Sequence, residues 1–213
     1  AARTAAHLLE AVMECIRVRW LQDEIADYDA TIAHCTALTA FRRIGAAAFH
    51  HPPPMRNTVL VATPPCEAHL LQTAMAGEIF AEAGFATTCD HPTTVDELEH
   101  LIRCTSPRIV VLCMSGLFRR NDRFSELEDT VVRARNAAGQ QPLTLAVLGR
   151  SFSDHFDGPQ IEGTACSCRS APALLHHLSS TESSATGLTR QVPVSVLRQI
   201  ATSMTAISTK DLQ

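Results

Sequence analysis

The sequence predicts an α/β fold: a doubly wound parallel sheet of Rossmann or flavodoxin type, preceded by a short helical segment and followed by a helical tail. Three observations carry that prediction. From Asn57 onward, short apolar runs alternate with amphipathic helical patterns. The run Arg108–Met114 is apolar on both faces, as a central parallel strand must be. Residues 4–43, by contrast, show only the three-to-four spacing of helix.

In the first segment Leu8, Leu9, Val12, Met13, Ile16 and Trp20 form one apolar stripe, and Ile25, Tyr28, Ile32, Cys35, Leu38 and Phe41 a second. Two such stripes must pack on each other, on the next domain or on another chain. His50-His51-Pro52-Pro53-Pro54 then ends any helix in a stiff linker. Val59–Ala62 is the first expected strand, and Leu70–Ala83 the helix after it, closed by Gly84. Phe85–Cys89 follows as a short strand. Thr94–Cys104 is the next helix, because Thr93 or Thr94 with Asp96 and Glu97 forms an amino-terminal cap. After Arg108–Met114 come a helix over Phe124–Ala138, a strand over Leu143–Leu148, a short strand near Gly163–Cys166 and a helix over Ala171–Leu178. The Ser- and Thr-rich residues 179–190 read as a flexible linker. Pro193 opens a last helix with Leu197, Ile200, Met204 and Ile207 on one stripe. The expected divisions are therefore a helical segment (1–44), a Pro-rich linker (45–56), an α/β domain (57–178), and a linker with a carboxyl-terminal helix (179–213).

Composition removes several classes of function. Net charge is −4 and Lys210 is the sole lysine, with no basic run, so direct nucleic-acid binding is not expected. No apolar stretch reaches the roughly 18–20 residues of a membrane span. The first residues lack the charged-then-apolar pattern of a secretory signal, and the eight cysteines are scattered rather than framed for disulfides. The expectation is a soluble, cytoplasmic protein. There is no Gly-x-Ser-x-Gly elbow, phosphate loop or dinucleotide glycine motif. Asp154-His155 therefore stands without a nucleophile, and Cys166-Ser167-Cys168 without further metal partners.

The chemistry-bearing residues gather at expected strand ends. Thr63-Pro64-Pro65-Cys66-Glu67-Ala68-His69 follows the first strand, Ser115-Gly116-Leu117 the third, and Gly149-Arg150 the fourth. In open α/β sheets, ligands bind outside the carboxyl ends of the strands. An imidazole there can reach a metal at the centre of a flat cofactor. The carboxylate two residues earlier can hold its other ring nitrogen, as the supporting groups of metal sites do.

Glu67-Ala68-His69-Leu70-Leu71-Gln72, Ser115-x-Leu117 and Gly149-Arg150 resemble the cobalamin-binding domain family, whose pattern is Asp-x-His-x-x-Gly, then Ser-x-Leu, then Gly-Gly. Between Gln72 and Ser115 lie 42 residues, and between Leu117 and Gly149 lie 31, close to that family's spacing. Arg19-Trp20-Leu21-Gln22-Asp23-Glu24, Asp29-Ala30-Thr31-Ile32 and Ala76–Phe85 further resemble the AerR/PpaA antirepressors, tetrapyrrole-sensing regulators of photosynthesis genes. The resemblance covers roughly residues 10–178. It implies cobalamin, or alternatively haem, bound through His69 as metal ligand. Glu67, Gln72, Ser115, Leu117, Gly149, Arg150 and Thr164 would lie around the cofactor, and Trp20 over its upper face. It further implies a light or redox sensor, not an enzyme, that acts by contact with a transcription repressor protein. Self-association is compatible with this, and a change in how the amino-terminal helices pack would carry the signal.

Three positions depart from the family pattern. Gln72 replaces a glycine beneath the macrocycle. Arg150 replaces a glycine where the nucleotide tail of cobalamin would lie. Glu67 stands for aspartate. Haem has no such tail and tolerates a filled slot. Two other readings stay open: a corrinoid carrier of a methyltransferase, and a domain without ligand that serves only for interaction. By residue type alone, Trp20 is a core residue and Ser115 a helix cap.

Overall fold

The structure is a computed structural model that describes residues 1–54, 56–65, 67–115, 122–149, 152 and 161–185. Leu117, Arg150, Asp154, His155 and the expected carboxyl-terminal helix lie outside the described residues. Ala1–His177 form one compact unit and Leu178–Gln213 a second.

Two helices, α1 (Ala2–Leu21) and α2 (Asp27–Ala48), precede the sheet domain. That domain runs β1 (Thr58–Ala62), α3 (Leu71–Glu82), β2 (Ala86–Asp90), α4 (Val95–Thr105), β3 (Ile109–Met114), α5 (Asp122–Ala138), β4 (Thr144–Gly149), β5 (Cys166–Cys168) and α6 (Ala171–Ala185). The five strands form one parallel sheet in the order β2-β1-β3-β4-β5. Every residue of β3 is buried, as its unbroken apolar run requires. Leu60, Val110, Leu112, Leu145 and Val147 pack against Leu98 and Ile102 of α4 and Leu127 and Val131 of α5. Helix α3 packs on β1, β2 and β3, and α1 and α2 pack on each other and on α3. Each fully buried aliphatic or aromatic side chain contributes roughly 1.5–3 kcal/mol.

The α4 cap has the expected form. The Thr94 hydroxyl accepts from the Glu97 backbone N–H at 3.2 Å, while the Glu97 carboxylate accepts from Thr93 backbone and hydroxyl at 2.7 and 2.8 Å.

Several expectations shift. The helical segment is interrupted at residues 22–26, where Asp23 takes a left-handed φ of 58°. Helix α2 continues through Gly45 to Ala48, past the expected boundary at 44. The fifth strand begins at Cys166 rather than Gly163, since Gly163 takes φ 81° in the preceding turn. Residues 179–185, expected as flexible linker, extend α6.

The apolar stripes are also partly reassigned. Met13 and Trp20 of α1 are buried, but Leu8 is 67 % exposed. On α2, Ala30, Ala37 and Phe41 face inward, whereas Tyr28 and Ile32 of the expected stripe are 67 % and 60 % exposed. Phe41 of the expected stripe is buried as anticipated, but it shares the inward row with the small Ala30 and Ala37 rather than with Tyr28 and Ile32.

Candidate functional site

In the order β2-β1-β3-β4-β5 the chain leaves β1 in one direction for β2 and returns on the other side for β3. The crevice above the carboxyl ends of β1 and β3 is thus the topological switch point, where α/β sheets bind ligands. Glu67 and His69 follow β1, and Ser115 follows β3, so the fold brings these three to the switch point.

The loop after β1 is tied at several levels. At its base the buried Thr63 hydroxyl meets the Thr73 hydroxyl of α3 at 2.9 Å and His91 Nδ1, just beyond β2, at 2.8 Å. Glu67 N–H donates to the Pro64 carbonyl at 2.9 Å, closing a turn behind two prolines. The Glu67 carboxylate then organises the rest. Its Oε1 accepts from His69 N–H and lies 2.8 Å from His69 Nδ1. Its Oε2 accepts from the backbone N–H and the hydroxyl of Ser115, each at 2.9 Å. The Ser115 hydroxyl also lies 3.4 Å from His69 Nδ1.

That arrangement fixes charge and tautomer. Burial by itself raises the Glu67 pKa, but the hydrogen bonds from the His69 ring, the His69 backbone and the Ser115 backbone outweigh it, and the net shift is downward. Glu67 is therefore an ionised carboxylate at neutral pH, able only to accept. A neutral His69 must then carry its proton on Nδ1, which leaves the Nε2 lone pair free for a metal. The donor set fits an axial ligand to the metal of a tetrapyrrole: one neutral imidazole nitrogen, oriented from behind by a charged acceptor.

The other anticipated residues are more dispersed. Gln72 is buried at the start of α3. Gly149 ends β4, where a Cβ would come within 2.9 Å of the Met114 carbonyl and 3.5 Å of the Phe152 ring, so close packing accounts for the missing side chain. Thr164 donates its hydroxyl to the Ile161 carbonyl at 2.7 Å in the turn before β5. Trp20 is buried and donates its indole N–H to Asp27 at 2.6 Å, bridging the turn between α1 and α2.

One site residue has no sequence signal of its own. His34 of α2 meets the His69 ring edge to face, with centroids 4.6 Å apart and planes at 61°. Burial first, then the neighbouring His69, push its pKa down to about 4, so it is neutral at pH 7. It lies in the inward row with Ala30, Ala37 and Phe41, where its spacing marks burial but not its partner.

Comparison with known proteins places the fold. A 1.5 Å structure of a cobalamin-binding protein from Desulfitobacterium hafniense is similar at 17 % identity, with 84 % of each chain covered and a TM-score of 0.49. The monomethylamine corrinoid protein of Methanosarcina barkeri is similar at 13 % identity, over 81 % of this chain and 80 % of that one, with a TM-score of 0.60. The methanol:cobalamin methyltransferase complex of the same organism is similar at 13 % identity, over 85 % and 66 %, with a TM-score of 0.45. The second of these carries the conclusion: the chain has a cobalamin-binding-like Rossmann fold. No family model and no curated protein sequence matches it. Among the described residues, no helix is long and apolar enough to cross a membrane.

Proposed function

We propose that this chain binds a tetrapyrrole through Nε2 of His69, cobalamin in the first instance and haem as the alternative. The observation that carries the reading is the single carboxylate of Glu67, which holds both the His69 ring and Ser115 from the next strand over the switch point. When bound, the cofactor supplies a metal whose axial ligation responds to light or redox state. The protein's own residues do the rest. Glu67 keeps the Nδ1 proton in place, Ser115 keeps the Glu67 carboxylate in place, and the Thr63–Thr73 pair anchors the loop from below.

The finer reading is a non-enzymatic sensor in the manner of the AerR/PpaA antirepressors, acting on a transcription repressor by protein contact. It is supported by the sequence resemblance around Trp20 and His69 and by the two helices packed next to the site. The similarity to a monomethylamine corrinoid protein favours a second reading, a corrinoid carrier for a methyltransferase.

Absorption spectra of the purified protein with hydroxocobalamin, and separately with hemin, test the shared core of both readings. The expected result is a protein-bound spectrum that His69→Ala abolishes while circular dichroism stays unchanged. Spectra unaffected by His69→Ala would remove His69 as the ligand, and no bound spectrum with either compound would leave an interaction domain. Methyl transfer from a methylamine or methanol donor, measured with a partner methyltransferase, separates carrier from sensor.

A further inference from the structure

The His69 side chain is only 20 % exposed. Glu67 and Ser115 cover its Nδ1 edge from two strand ends, and those groups are anchored by the sheet. The remaining cover includes the His34 ring, 4.6 Å away on α2. A tetrapyrrole is far wider than an imidazole, so it cannot approach a histidine whose side chain is four-fifths covered. Some part of the cover has to leave before an axial bond can form.

The two covers differ in how they are held. Glu67 is fixed by four hydrogen-bond contacts to His69 and Ser115. His34, by contrast, meets His69 through a ring contact from α2. The helix that carries it begins just after the break at residues 22–26 and leaves Tyr28 and Ile32 in solvent, so its outer face has no packing to lose.

We propose that His34 is a gate: with α2 seated, its ring blocks His69, and cofactor enters only from a state in which α2 has moved away. This rests on His69 being the ligand nitrogen. The closed state holds back binding by the fraction of molecules that are open, so weakening the gate raises both loading rate and apparent affinity. The block is steric, so a residue of similar size should preserve it without the nitrogens.

The test uses the full chain and two variants, His34→Ala and His34→Phe. The first measurement needs no cofactor. Diethyl pyrocarbonate modification of His69, followed by mass spectrometry, should be about tenfold faster or more in His34→Ala and near the parent rate in His34→Phe. Unchanged modification in His34→Ala overturns the gate. The second measurement is stopped-flow mixing with hydroxocobalamin. The parent rate should level off at high ligand as opening becomes limiting, while His34→Ala should load faster to the same final spectrum. Slower or weaker loading in His34→Ala would overturn the gate and make His34 part of the bound site. If the modification result holds but neither protein binds hydroxocobalamin or hemin, the assignment of His69 as ligand fails and the gate on cofactor entry is overturned with it, leaving only a ring that shields His69.

Discussion

His69 offers a metal-binding nitrogen because of one neighbour two residues earlier. The Glu67 carboxylate is acceptor-only, so it dictates which ring nitrogen keeps the proton. Glu67→Gln retains an acceptor oxygen but removes the charge that makes the imidazole a better donor. Tetrapyrrole affinity should fall by about 10–100-fold, as when the partners of metal ligands are lost elsewhere. Ser115→Ala removes one of two donors to Oε2 and leaves the backbone N–H in place, so its effect should be smaller. Titration of both variants with hydroxocobalamin or hemin checks the order, and a Ser115→Ala loss equal to that of Glu67→Gln would refute this division of roles. The pairing of Glu67 with His69 was legible because the two lie two residues apart just after an unmistakable strand. The bond from Ser115 to Glu67 was not, since it depends on strand order, which puts β3 beside β1. His34 was invisible for a related reason: its contact joins two segments that no spacing rule connects.

At the scale of elements, strand and helix identities followed from periodicity, while the orientation of the helices did not. Sequence arithmetic puts Tyr28, Ile32 and Phe41 on one inward stripe, yet α2 turns only Phe41 of these inward, beside Ala30 and Ala37, and leaves Tyr28 and Ile32 outward. Close packing sets that choice, and close packing is not visible in hydropathy. The contact of α3 with β2 shows the same principle. A Cβ at Gly77 would fall 2.0 Å from Cys89 Sγ, so the thiol lies over the helix at the one position without a side chain. Cys89 is exposed as a residue, yet desolvation of its sulfur against the helix, with Glu78 and Asp90 nearby, pushes the thiol up to about 11. Gly77→Ala should therefore cost about 1–3 kcal/mol through overpacking, even though alanine favours helix. Adding Cys89→Ala removes the obstructing sulfur and should recover most of that loss. Urea denaturation of the single and double variants measures the coupling, and simple additivity of the two substitutions would show that the atoms do not meet.

For the molecule as a whole, the consequence is a surface. Leu8 and Val12 of α1 are 67 % and 47 % exposed, and Tyr28 and Ile32 of α2 are 67 % and 60 % exposed. Apolar residues grouped outside a core mark interaction surfaces more often than scattered ones do. The same two helices pack on α3, and α2 carries the residue that touches His69, so a partner bound to their outer faces would meet the element that cofactor entry displaces. If these side chains stand in water, they contribute little to folding. Replacing them together by Leu8→Gln, Val12→Thr, Tyr28→Gln and Ile32→Thr should change stability by no more than about 0.5 kcal/mol per site. Ala37→Leu, on the opposite face of the same helix, adds volume to a packed contact and should cost about 1–3 kcal/mol. Thermal melts of the two variants decide which row faces inward. A collapse of the fourfold variant together with tolerance of Ala37→Leu would reverse the orientation of α2, and with it the placement of His34 against His69.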